Sequence, residues 1–145
     1  MIVSLINNPR GLNFTQLRSL QSVLKEIDVT EFNHGGDRQD NTVHDCAIKS
    51  GYKINIYPLV SNKTSNPYTG TYHEPTNIST RNRKLVDIAD IVIAAPMVVF
   101  EYEDSAAWRT INYALSRDKE ITILSPRGNI YDVSRARLLP TTEKK

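Results

Sequence analysis

The chain has 145 residues, 39% of them hydrophobic and 23% charged, with 18 Lys and Arg against 16 Asp and Glu. That size and composition suit one folded domain able to bury about two thirds of its unfolded surface, and they exclude a disordered chain. A net charge of +2 is too balanced for nucleic-acid binding by bulk electrostatics, and Cys46, the single cysteine, excludes an intramolecular disulfide.

The longest apolar stretch, Ile88 to Phe100, is interrupted by Asp90 and Pro96 and is too short to span a bilayer. The opening Met1–Ile6 lacks the basic start and small-residue cleavage site of a signal peptide. The expectation is a cytoplasmic protein with no membrane partner.

Ile2–Ile6 reads as a first strand, short and nearly continuous in apolar residues, as expected for burial on both faces. Phe14–Ile27 follows as a helix, with Leu17, Leu20, Val23, Leu24 and Ile27 at helical spacing and Asn13 or Thr15 as its cap. Glu31–His34 is the second strand. Asn41–Ser50 is the second helix, ended by Gly51. Ile54–Pro58 is the third strand. Val60–Asn77 has no periodicity and reads as a long loop, a feature that is often functional. Ser79–Ala89 is a short helix, Asp90–Ala95 a strand, Ala106–Arg117 a helix and Glu120–Leu124 a fifth strand. Strands alternating with helices predict an α/β fold, a Rossmann-like three-layer sandwich with a mostly parallel central sheet. Residues 1–140 form the expected single domain, and 141–145 a frayed polar tail.

In open parallel sheets, ligands bind outside the carboxyl ends of the strands. The residues after each strand are therefore the candidates. Asn8 and Arg10 follow the first strand. His34, Gly35, Gly36 and Asp37 close the second, where the glycines either offer backbone N–H groups to an anion or make a tight turn. Pro96 follows the fourth strand. Arg81-Asn82-Arg83 opens a helix and either binds phosphate or carboxylate or lies on a solvated face. Arg81 and Arg83 cannot face the same way, so at most one points into a site. Glu101, Glu103 and Asp104 suit a general acid, a ribose contact or simply an exposed acidic turn before a helix. Trp108 suits stacking on a base, core packing or a dimer surface. No Walker A or G-x-G-x-x-G sequence is present. A predicted turn and helix separate His34 from His44, and His73 falls on a loop, so the three do not make a metal site; Cys46 near His44 lacks ligand spacing and reads as a Cys-His nucleophile or, more often, as inert core. No metal or other cofactor is expected.

The order of these segments resembles the SLOG superfamily of Rossmann-like nucleotide-binding domains. The resemblance rests on Asn33-His34-Gly35-Gly36-Asp37, His44-Asp45, Gly51-Tyr52-Lys53-Ile54, Arg81-Asn82-Arg83-Lys84-Leu85-Val86-Asp87, Asp90–Pro96 and Trp108–Ala114, over roughly Ile2 to Pro126. Its phosphoribohydrolase branch carries a Pro-Gly-Gly-x-Gly-Thr motif with a nearby Glu. Here that stretch reads Ala95-Pro96-Met97-Val98-Val99-Phe100-Glu101, without the glycine cradle.

The resemblance implies a pocket for a nucleotide or a nucleotide-derived signal, such as a cyclic ADP-ribose isomer. Asn8, Arg10, Gly35, Gly36 and Asp37 would line one side, and Arg81, Asn82, Glu101 and Trp108 the other. Without the glycine motif it implies a binding protein, in one version a phage-encoded sponge acting against defence, rather than an enzyme. The alternative is a nucleotide N-glycosidic hydrolase with Glu101 as its carboxylate, and a third reading is a protein-interaction module using Tyr68 and Tyr72. SLOG-like relatives suggest a homodimer or larger assembly.

Overall fold

The computed structural model describes residues 1–62, 67–97 and 105–133. Seven strands form one sheet in the order β4-β3-β2-β1-β5-β6-β7. They are β1 (Ile2–Ile6), β2 (Glu31–His34), β3 (Lys53–Ile56), β4 (Thr71–Tyr72), β5 (Ile91–Ala94), β6 (Glu120–Leu124) and β7 (Ile130–Val133). All neighbours pair in parallel except β6 and β7, which are antiparallel. The described helices are α1 (Phe14–Lys25), α2 (Asn41–Lys49), α3 (Ile78–Ile88) and α4 (Ala106–Ser116). This is an α/β fold with a mostly parallel sheet, consistent with a Rossmann-like architecture. No described helix is long and apolar enough to cross a membrane.

The alternation of each strand sorts its side chains into two cores. Val3, Leu5, Phe32, Ile54, Ile56, Ile91 and Ile93 pack with Leu20 and Leu24 of α1 and Val43 and Ala47 of α2. Ile6, Val92, Ala94, Ile121 and Ile123 pack with Leu85 and Val86 of α3 and Ile111, Ala114 and Leu115 of α4.

One row of side chains is polar. Ser4, Asn33 and Asn55 stand side by side across β1, β2 and β3. Asn33 Nδ2 donates to Ser4 Oγ at 3.1 Å, and Asn55 Nδ2 donates to Asn33 Oδ1 at 2.9 Å and to Glu31 Oε1 at 2.8 Å. Ser4 pairs with Val92 in register, so the row lies on the α3 and α4 side.

The helix ends follow their caps. Asn13 and Gln16 form a capping box at the start of α1. Asn77 caps α3 and Ser105 caps α4, each accepting the N–H three residues on.

Two expectations need correcting. Val60–Asn77 is not a featureless loop. Its residues Thr71–Tyr72 add an edge strand beside β3, and Leu59 bridges Thr76. The sheet also continues past Glu120–Leu124 into β7, whose first three residues are exposed, so burial gives it no apolar alternation to read. The 141–145 tail lies outside the described residues.

Candidate functional site

The strand order reverses between β1 and β5: the chain winds outward through β2, β3 and β4, then returns to β5 on the other side of β1. At such a switch point the loops leaving the two central strands diverge and open a crevice. A cleft of 380 Å³ occupies this place. Asn7 and Asn8 after β1, Gly35, Asp37 and Asp40 after β2, Arg81 and Asn82 of α3, and Ala106 and Ala107 of α4 line it.

A larger hollow of 440 Å³ lies elsewhere, against Val23 and Ile27 of α1, Ile121 of β6 and Ile130 of β7. It includes Ile91 and Glu120, the first residues of β5 and β6, and so sits at the amino ends of the strands. The smaller cleft is the better candidate, because the loop residues and helix N-terminus that can recognise a ligand converge there.

Most of the wall is built by hydrogen bonds within the protein. Asn8 Nδ2 donates to the carbonyl of Ala95 at 2.6 Å, and its Oδ1 accepts the Arg10 N–H at 2.8 Å. Asn8 thus ties the end of β1 to the end of β5. Asn7 Nδ2 donates to Asp40 Oδ1 at 2.6 Å, and the Asp37 N–H donates to Asp40 Oδ2 at 2.9 Å. Asp40 is almost fully buried. Burial alone would push its carboxyl up, but the nearby His34 ring, with the bonds from Asn7 and the Asp37 N–H, outweighs it and holds the carboxyl below its ordinary value.

Arg81 and Arg83 face opposite ways, as helical spacing requires. Arg81 is buried and points into the turn after β2, whereas Arg83 lies over the Tyr113 ring at 5.3 Å. Arg81 Nη2 is 3.2 Å from Asp37 Oδ2, Nη1 donates to the carbonyls of Gly35 and Tyr57 at 3.3 Å each, and Nε donates to Asn82 Oδ1 at 2.8 Å. The guanidinium is therefore largely committed to the protein and braces the turn. A guanidinium nitrogen only donates, so the oxygen of Asn82 faces it and the Asn82 NH2 group is turned away from Arg81.

Gly35 leaves room for this arginine: a Cβ there would overlap Arg81 Nη1. Gly36 has φ +72° and turns the chain over Ile56. Its N–H donates to His34 Nδ1 at 2.9 Å, so this amide is not the open anion donor that the glycine pair suggests in sequence.

His34 and His44 are ten positions apart, yet the strand, turn and helix between them bring Nε2 of one within 3.0 Å of Nδ1 of the other. Their spacing in the chain hides this pair. His44 is held below the ordinary histidine value by burial and by His34. Tyr68, from the segment before β4, packs on both rings and donates its hydroxyl hydrogen to the Asp37 carbonyl at 2.6 Å. Burial and the surrounding carboxylates push that phenol up to about 12. His73 stands apart, stacked on Tyr57 with ring centres 4.2 Å apart. Burial pushes the Cys46 thiol up, which disfavours the thiolate that a nucleophile needs.

The cleft thus gathers Asn8, Gly35, Asp37, Arg81 and Asn82 from the expected set. His34 supports it from behind. Pro96 is buried beside it, with its carbonyl accepting from Gln16 Nε2 at 2.9 Å. Trp108 is not among the lining residues and packs against the α3–α4 core. Arg10 is exposed and also outside the lining. Glu101, Glu103 and Asp104 lie outside the described residues. Asn7 and Asp40 are additions. Asp40 carries a signal in sequence only as an acidic residue just before a helix, and Asn7 only as the first residue after a strand.

The N-terminus of α4, the positive end of its peptide dipoles, lines the same cleft through Ala106 and Ala107. The cleft wall therefore holds both the Asp37 carboxylate and an anion-favouring helix end. Comparison of the chain with protein-family models, with curated proteins and with solved structures finds no match.

Proposed function

We propose that this protein binds a nucleotide or a nucleotide-derived signalling molecule in the cleft at the carboxyl ends of β1 and β2, and holds it rather than turning it over. The cleft's position at the strand-order reversal, with the N-terminus of α4 and Asp37 both in its wall, carries this reading. In it, phosphate lies toward the first turn of α4 and the Asn82 NH2 group, and Asp37 accepts from a ribose hydroxyl. The architecture is then a three-layer Rossmann-like sandwich of the SLOG type, working in the cytoplasm as a homodimer or larger assembly. A cyclic ADP-ribose isomer suits the combination of phosphate and ribose, and sequestering one would make the protein a sponge in the contest between phage and host. Commitment of Arg81 to Asp37 and to two carbonyls favours a fixed receptor wall over a mobile catalytic group.

The test is to incubate the purified protein with candidate nucleotides and cyclic ADP-ribose isomers, remove free ligand, denature the protein and analyse what it releases. Intact ligand is the expected result, with retention lost in Asn82→Leu. Time-dependent release of free base, abolished in Glu101→Gln, would replace sequestration by N-glycosidic hydrolysis. Retention of none of these compounds would overturn both.

A further inference from the structure

His34 and His44 make three contacts through four ring nitrogens. The Gly36 N–H points at His34 Nδ1, at 2.9 Å. His34 Nε2 and His44 Nδ1 meet at 3.0 Å. The Thr69 N–H points at His44 Nε2, at 3.2 Å. Two neutral imidazoles carry two ring hydrogens between them. The middle contact takes one. The second must then stand on one of the outer nitrogens, and a nitrogen that carries hydrogen cannot accept an N–H.

The two placements are not equivalent. On His34 Nδ1 the hydrogen is directed toward Asp40 Oδ2, 3.6 Å away, and Thr69 keeps its bond while Gly36 loses its own. On His44 Nε2 it displaces the Thr69 N–H, and Gly36 is held. We propose that the His34–His44 pair is a positioning device that holds the amide of Gly36 or that of Thr69, never both.

The pair thereby couples two pieces of chain. Gly36 lies between Gly35 and Asp37, which line the cleft. Thr69 follows Tyr68, whose hydroxyl is bonded to that same turn. A ligand that shifts the turn shifts the shared hydrogen, and with it the hold on the Tyr68–Thr69 segment. One further proton on the pair fills both outer nitrogens and releases both amides together. Its charge would face Asp40 from the turn, Asp45 from α2 and the Tyr68 hydroxyl, with Asp37 beyond, already paired with Arg81.

The inference rests on the ligand-binding reading only for the role it gives the turn, and its test uses the ligand-free full chain. The measurements are nuclear magnetic resonance of the ¹⁵N-labelled histidine rings and hydrogen exchange of the Gly36 and Thr69 amides. Thr69→Pro removes one competing N–H. His34 Nδ1 should then lose its hydrogen, and the Gly36 amide should exchange about tenfold more slowly. A folded variant in which the His34 ring signals and Gly36 exchange are unchanged would overturn the coupling. If Thr69→Pro does not fold, the wild-type protein is titrated with acid. Both amides should lose protection together as the pair takes up a proton, and continued protection of either one would overturn the proposal. A failed ligand search leaves these outcomes untouched.

Discussion

Arg81 and Asp37 form an ion pair of 3.2 Å between the first turn of α3 and the turn after β2, with side chains only 8% and 12% exposed. Burial makes the pair asymmetric in its energetics. Forming it recovers little beyond the cost of desolvation, but breaking it leaves a buried charge without its opposite charge.

Arg81→Met should therefore destabilise the fold by about 3–5 kcal/mol. Adding Asp37→Asn removes the remaining buried charge and should recover part of that loss. Urea unfolding of the two single variants and the double variant should give a coupling energy of about 1–3 kcal/mol. Additive effects would show that the two groups do not act as a pair.

Gly35→Ala tests the space rather than the charge. The new methyl group would meet the Arg81 guanidinium, and an expected loss of about 1–3 kcal/mol follows from forced overpacking. Gly51→Ala is the contrast: Gly51 has φ +78° but nothing within 4 Å, so it should cost about 1 kcal/mol, from backbone strain alone. Thermal melting of the two variants should rank them in that order.

Gln16 binds two strand ends at once. Its Nε2 donates to the carbonyls of Pro96 and Leu124, at 2.9 Å each, while its Oε1 accepts the Asn13 N–H. Gln16→Glu keeps the shape and the capping contact but turns a carboxylate oxygen toward two carbonyl oxygens. It should destabilise by about 2 kcal/mol at neutral pH, and less at pH 4, where the glutamate takes up a proton. Equal losses at both pH values would rule out charge repulsion as the cause.

Stability should fall on acidification in two stages. His44 is held below its ordinary value, so the unfolded chain takes up its proton first. The stability tied to neutral His44 is complete above about pH 6.5 and declines as pH falls toward its folded value. His73 is shifted the same way by burial and Lys84, and it adds to this stage. Asp40 is also held low, so its contribution is present above about pH 4 and is lost as pH falls further. Urea midpoints between pH 8 and pH 3 would show both stages. His44→Gln should flatten the first, and Asn7→Ala, which removes one Asp40 donor, should weaken the second.

The regular part of the fold is legible in the sequence because it obeys periodicity. The buried strand Ile91–Ala94 is a continuous apolar run, Ile2–Ile6 is one broken only by Ser4, and Leu20 and Leu24 mark the inward face of α1. β4 escapes notice because two residues cannot display a period. β7 escapes because an edge strand exposed over Ile130–Asp132 has no reason to alternate. The site was legible by location but not by role. Sheet topology pointed to Gly35, Asp37, Arg81 and Asn82. Their bonding could not be read, because whether Arg81 meets a ligand or Asp37 depends on how α3 lies against the turn. The His34–His44 contact depends in the same way on the path of the chain between them.

The polar row Ser4–Asn33–Asn55 has a consequence for how the sheet is assembled. Sliding β2 by one residue against either neighbour would carry Asn33 to the apolar side beside α1 and α2 and strand its partner there, the Ser4 hydroxyl or the Asn55 amide. Each stranded group would cost about 1–3 kcal/mol. An all-apolar strand such as β5 tolerates a shifted partner far better, since one aliphatic side chain substitutes for another. The row therefore acts as a proofreading mark during folding: it adds little to the depth of the correct state, but it raises the energy of the nearest wrong ones.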